Sequence, residues 1–205
     1  MKIAVFGASG KTGILIVYQA LEKGHLVTAF SRNADAVPIR HRHLRVVEGD
    51  VLDYEKVREA VEGQDAVMSA LGVNERKRNT VLSDGTGNIL RAMKETATRR
   101  LICMSSAGIL EKPGMLSIGT SIVNRSLKAV MADKKRQLKA IRESGVEWVV
   151  VLPPTLTDAP KTGKYRIGNG PPAYKSVPRA DVADFMLKLL TEKKYDGKTP
   201  SIAGY

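Results

Sequence analysis

The chain has a single cysteine, Cys103, in 205 residues. No disulfide can form within it, and a solitary thiol in an apolar run suits a reducing compartment. Aromatic residues are also scarce: three Phe, six Tyr and one Trp. The basic clusters are not interleaved with them, which argues against the stacking surface of a single-strand nucleic-acid binder. No apolar run approaches the roughly 18 residues that a membrane helix needs. Met1 and Lys2 lead straight into a strand-like run with no secretory pattern, so a cytoplasmic location is expected. The histidines are His25, His41 and His43. Only one close pair exists, without cysteines or other histidines nearby, so no metal site is expected.

Acidic residues are outnumbered, 21 against 33 basic, for a net charge of +12. Such a surface attracts polyanions. The clusters RHRH (40–43), ERKR (75–78) and KKR (134–136) are dispersed, however. An anionic nucleotide accounts for the excess as well as nucleic acid does, and nucleic acid is not the expected partner.

Apolar residues make up 43% of the chain, enough for a buried core. The segments alternate. KIAVFG, HLVTAFSR, HLRVVEGD, DAVMSALG, RRLICMSSAG and VEWVVVLPP read as strands, and PSIAG as a short last one. Between them KTGILIVYQALEKG, DYEKVREAVEG, VLSDGTGNILRAMKET, residues 117 to about 143, and RADVADFMLKLLTE read as helices. Asp53 is placed to cap the second helix. Strand and helix in alternation imply an α/β fold, a doubly wound parallel sheet covered on both faces. One domain over residues 1–205 is expected, with a small C-terminal substrate lobe made of loops, near 107–121 and 156–178. Ligands of such a sheet sit beyond the carboxyl ends of its strands.

The candidate functional residues fall at those ends. Gly7, Gly10 and Gly13 lie between the first strand and the first helix in G-x-x-G-x-x-G spacing. A helix amino end offers free N–H groups and partial positive charge, so this loop is expected to hold a dinucleotide diphosphate. The second strand ends in Ser31 and Arg32, where an NAD site has an acidic residue. A guanidinium there favours a 2′-phosphate, hence NADP(H), with NAD(H) bound more weakly. Asp50 is placed to accept from the adenine amino group, and Gly72 leaves backbone open beside the cofactor. Asp158, Arg166 and Arg179 fall near the expected substrate loops without a ranking among them.

GASGKTG, EGDVLD, QDAVMSALG, MSSAG, IRESGVEWVVVLPP and YDGKT together resemble the atypical short-chain dehydrogenase/reductases, a Rossmann-like family. Within it they are most similar to the flavin reductase (biliverdin reductase B) type, from Met1 to about Gly197. The resemblance implies that Gly7, Ser9, Gly10, Lys11, Thr12 and Gly13 form the phosphate loop, and that Arg32 selects NADP. It implies that Asp50 and Val51 line the adenine pocket and that Leu71 and Gly72 edge the fourth strand. Ser105 and Ser106 then stand by the nicotinamide and substrate, with Pro153, Pro154 and Thr155 over the carboxamide. Ser106 and Lys134 are the implied catalytic pair.

The departures bear on chemistry. The wider family's Tyr-x-x-x-Lys pair falls on Val130 and Lys134, so the lysine stays in register and the tyrosine acid is absent. A histidine that follows the double proline in the flavin reductase type is Thr155 here, and AGILEKPG lacks bulky aromatics. Reduction of a simple ketone makes a strongly basic alkoxide and needs a positioned acid. A conjugated acceptor spreads the incoming electrons and needs mainly stacking and proximity. The expected function is therefore NADPH-dependent hydride transfer to a flavin, linear tetrapyrrole or quinone, the flavin being substrate rather than prosthetic group. The alternative is an NmrA-like NADP-sensing regulator without catalysis. The expected partner is a small molecule, with no membrane, the chain being a monomer or weak homodimer.

Overall fold

The structure, a computed structural model, describes residues 1–72, 80–110, 121–170 and 176–204, with backbone alone over 121–127. The ERKR cluster and parts of the two expected substrate loops, 111–120 and 171–175, lie outside the described residues.

Six apolar runs become one parallel sheet. Its strands are β1 (Lys2–Phe6), β2 (Leu26–Ser31), β3 (Leu44–Glu48), β4 (Ala66–Ser69), β5 (Arg100–Met104) and β6 (Glu147–Val151). Their order is β3-β2-β1-β4-β5-β6, so the direction of winding reverses between β1 and β4. β1 and β4 are buried almost throughout, as strands covered on both faces must be.

The helices divide between the two faces. α1 (Lys11–Glu22) and α5 (Arg179–Lys188) pack together on one. α2 (Tyr54–Val61), α3 (Val81–Glu95) and α4 (Ser121–Arg142) cover the other. Ile3, Val5, Ile16 and Met186 belong to the first core layer, and Phe6, Val67, Ile89 and Leu152 to the second. Asp53 accepts from the N–H groups of Glu55 and Lys56 and so caps α2 as its position predicts.

Four short strands complete the fold, and three of them have no counterpart in the sequence reading. β7 (Thr155–Thr157) runs parallel to β9 (Ser176–Pro178), while β8 (Tyr165–Gly168) pairs antiparallel with β10 (Ser201–Gly204). Both pairs follow β6 in the chain, and pairing of Val149 with Lys198 and of Leu152 with Ser201 lays the chain's last segment alongside β6. Asp181, fully buried on α5, accepts from the N–H groups of Thr162 and Gly163 and from the Thr162 hydroxyl. Asp184 accepts from Lys161 at 2.7 Å and Tyr165 at 2.8 Å. Two buried carboxylates one turn apart thus moor the 161–165 segment to the helix. Among the described residues no helix is long and apolar enough to cross a membrane, and no three His, Cys, Asp or Glu side chains gather as metal ligands would.

Candidate functional site

The glycine loop begins at the carboxyl end of β1, directly beside the end of β4. Gly7 has φ +74°, and a Cβ there would lie 2.7 Å from the Ala70 carbonyl oxygen. Both conditions admit only glycine. A Cβ on Gly13 would lie 2.0 Å from the Gly7 carbonyl oxygen, so α1 rests directly on the turn. The Gly10 N–H donates to Gly7 O at 3.0 Å, closing the loop. Ser9 is half-buried, Thr12 is buried, and Gly10 and Lys11 are exposed at the helix start.

The amino ends of the helices differ in charge. α2 is capped by Asp53. α3 is capped from another helix: Asp133 of α4 accepts from the N–H groups of Leu82 at 2.9 Å and Ser83 at 3.3 Å. α5 carries Asp181 in its first turn. α1 has neither a side-chain cap nor an acidic residue in its first turn. Its N–H groups and partial positive charge therefore face outward for an anion.

Along the same edge Arg32 is exposed, and the adjacent Ser31 hydroxyl donates to Asn33 O at 2.8 Å. Asp50 is exposed, with Oδ1 accepting the Leu52 N–H at 2.9 Å. The Val51 side chain is buried against the bare α-carbon of Gly85 on α3, and its carbonyl accepts from Asn88 at 3.0 Å. Leu71 is half-buried behind the Gly7 turn, and Gly72 is open.

The ends of β4, β5 and β6 bring together a second group. The Ser105 N–H donates to Val151 O and the Ala107 N–H to Pro153 O, each at 2.9 Å. Pro153 is thereby buried beside the serines, with Pro154 half-buried and Thr155 exposed at the start of β7. The Ser106 hydroxyl accepts from the Gly108 N–H at 3.4 Å, a long local bond that leaves its proton free to donate. Among the described residues the Ser105 hydroxyl is buried without a hydrogen-bond partner, and the buried Ser69 hydroxyl has only the Cys103 thiol beside it. A buried hydroxyl left unpaired costs stability, and such groups mark places where a ligand or water completes the bonding.

Lys134 reaches this group from α4. It is half-buried, whereas its neighbours Lys135 and Arg136 are exposed. Burial lowers its pKa. Burial in turn pushes the Cys103 thiol up to about 12, so that group stays protonated. Among the described residues no carboxylate pairs with Lys134. Val130, one turn earlier, is half-buried and has no proton to give.

A sequence-family profile for NAD(P)H-binding proteins matches residues 7–193. The chain belongs to the NAD(P)H-binding family. YwnB of Bacillus subtilis, an uncharacterized protein, is 28% identical over 174 residues, which cover 82% of this chain and 79% of YwnB. Cinnamoyl-CoA reductase 1 of Petunia hybrida is 34% identical over 119 residues, covering 52% of this chain and 35% of the reductase. A wide-type short-chain dehydrogenase/reductase of Veillonella parvula, solved in complex with NADP, superposes with a TM-score of 0.80. That superposition covers 100% of this chain and 94% of the other at 18% identity, and the likeness is one of fold.

This NAD(P)H-binding chain carries the features a dinucleotide requires: an uncapped helix start behind a glycine turn, beside the crevice where strand order reverses. One residue of the site and one pairing between residues escape sequence reasoning. Ser69 sits in an apolar run where a small hydroxyl residue carries no signal, and only its register opposite Cys103 brings it to the serine group. Asp158 is drawn to Lys11, 147 residues earlier in the chain. Arg179 joins the same carboxylate. A groove of about 500 Å³ between α3 and α4, lined by Leu90, Lys94, Ala140 and Ser144, lies at the ends of those helices, opposite the carboxyl edge of the sheet.

Proposed function

We propose that this chain is an NADPH-dependent reductase that passes hydride to a conjugated acceptor, a flavin or a related tetrapyrrole or quinone. In this reading the N–H groups at the start of α1 hold the diphosphate, with Ser9, Thr12 and Lys11 around it. Arg32 takes the 2′-phosphate, and Asp50 takes the adenine amino group through its exposed carboxylate. Lys134 donates to the nicotinamide ribose, and the Ser105 and Ser106 hydroxyls orient the ring or the substrate, backed by Pro153, Pro154 and Thr155. When bound, the nicotinamide supplies the hydride. The substrate-side walls are the segments near 107–121 and 156–178, within one domain. The flavin reductase (biliverdin reductase B) type remains the model for the acceptor.

The observation that carries the choice of acceptor is the pairing of Val130 with Lys134. The lysine comes inward to the edge where cofactor chemistry occurs, yet the position one turn before it offers no acid. A site built this way aligns two rings and leaves protonation of a weak base to solvent. Purified protein should therefore oxidise NADPH when free flavin is added. Arg32→Ala should weaken NADPH binding about tenfold and leave NADH binding nearly unchanged, as loss of a charge-assisted contact to one phosphate requires. Tight NADP binding without turnover on any flavin, tetrapyrrole or quinone would select the NmrA-like sensing role instead.

A further inference from the structure

Lys11, the first residue of α1, donates from Nζ to Asp158 Oδ2 at 2.7 Å. Arg179, the first residue of α5, donates to Oδ1 of the same carboxylate. Asp158 directly follows β7, so one side chain joins the glycine loop, α5 and the strand that begins at Thr155.

The two cations differ in how firmly they are held. The Arg179 side chain is 19% exposed, whereas Lys11 is 71% exposed. An ammonium on a flexible, solvated stem makes a weak and exchangeable pair. A guanidinium packed against protein is the firmer partner. Lys11 also occupies the first helical position behind Gly10, where α1 has no acidic residue of its own. Asp158 thus supplies from 147 residues away the negative charge that the helix start lacks.

We infer that Asp158 is a built-in competitor of the dinucleotide: its carboxylate holds Lys11 in the empty protein, the incoming diphosphate takes Lys11 from it, and Arg179 keeps the carboxylate. The inference rests on the dinucleotide reading above and assigns an affinity-setting residue to that site. Two negative groups cannot share one exposed ammonium without mutual repulsion, so the carboxylate raises the concentration of cofactor needed to fill the site. The hydrogen bond from Lys11 leads the effects that lower the Asp158 pKa, so the carboxylate stays charged throughout the neutral range. Exchange of Lys11 also breaks the contact between α1 and the 158–164 segment, which links filling of the cofactor site to the C-terminal strands.

Calorimetric titration with NADPH of wild type, Asp158→Asn, Lys11→Gln and the double variant tests this. All substitutions are at exposed positions, and unchanged melting temperatures verify that each variant is folded. Asp158→Asn should bind about two- to fivefold more tightly, the range an exposed ion pair is worth. Lys11→Gln should bind more weakly, and the double variant no more tightly than Lys11→Gln alone. Absence of association with wild type overturns the dinucleotide reading and this inference with it. Association with wild type but unchanged or weaker binding by Asp158→Asn overturns the inference alone. So does an equal gain in the Lys11→Gln background, because the effect would then not pass through Lys11.

Discussion

Asp133 on α4 caps α3 across the chain, its Oδ2 accepting the Leu82 N–H at 2.9 Å while Oδ1 takes the Ser83 hydroxyl at 2.5 Å. The carboxylate is almost fully buried and also pairs with Arg136 at 3.2 Å. This clamp fixes α4 against α3 at the residue before Lys134. Asp133→Ala should therefore destabilise the fold by about 2 to 3 kcal/mol, because it leaves buried N–H donors without an acceptor. Chemical denaturation would measure the loss. It should also weaken NADPH binding through Lys134, whereas Arg136→Ala, which keeps the carboxylate and both backbone bonds it accepts, should cost less on both counts.

Lys134 is expected to trade stability for function. A half-buried ammonium with no counter-ion among the described residues disfavours the folded state, and its lowered pKa expresses that cost. Lys134→Met should raise the melting temperature by about 2 to 4 °C, the size expected of about 1 kcal/mol in a domain of this length. The same variant should lower kcat/KM for NADPH oxidation about tenfold or more, as loss of a charged hydrogen bond does. Activity that needs the ammonium should fall as pH rises, with its alkaline limb below the ordinary lysine range. Lys134→Arg should retain the activity and move that limb beyond reach.

Gly13 has no room for a methyl group. A Cβ there would lie 2.0 Å from one backbone atom and 2.8 Å from another, neither the end of a flexible side chain. Gly13→Ala should cost about 3 kcal/mol and move the turn away from α1. Denaturation of this variant beside Gly87→Ala, whose Cβ would meet nothing within 4 Å, separates the clash from a general effect of helix propensity. Gly87→Ala should stabilise by about 0.5 to 1 kcal/mol.

Asp184 predicts the acid limb of stability. Burial opposes its ionisation, but hydrogen bonds from Lys161, Lys188 and Tyr165 outweigh burial and bring the carboxyl down to about 2. That lies below the unperturbed 3.8 of the unfolded chain. The stabilisation is therefore complete above about pH 4 and is lost as pH falls through about 2. Asp184→Asn should cost about 1 to 2 kcal/mol at pH 7, allowing for the solvent around both lysines. It should also flatten the acid limb. Hydrogen exchange over 161–168 should quicken in this variant if the carboxylate moors that segment as the structure shows.

Much of this architecture is legible in the order of residues. The six long strands are short runs of Val, Ile, Leu and Ala that glycine or polar residues interrupt, and burial on both faces makes such runs conspicuous. Gly7 and Gly13 announce the first turn because left-handed backbone and close packing admit no other residue there. β7, β8 and β9 escape detection because three or four residues with partly exposed side chains carry no periodic signal. The tertiary structure alone decided the rest. Whether Lys134 points inward or into water depends on how Asp133 sets the rotation of α4. The pairing of Lys11 with Asp158 and Arg179 depends on α1 and α5 sharing one face of the sheet. Local sequence encodes what a segment can become through its nearest neighbours, but which distant charges meet is settled only when the sheet is wound and its helices are packed.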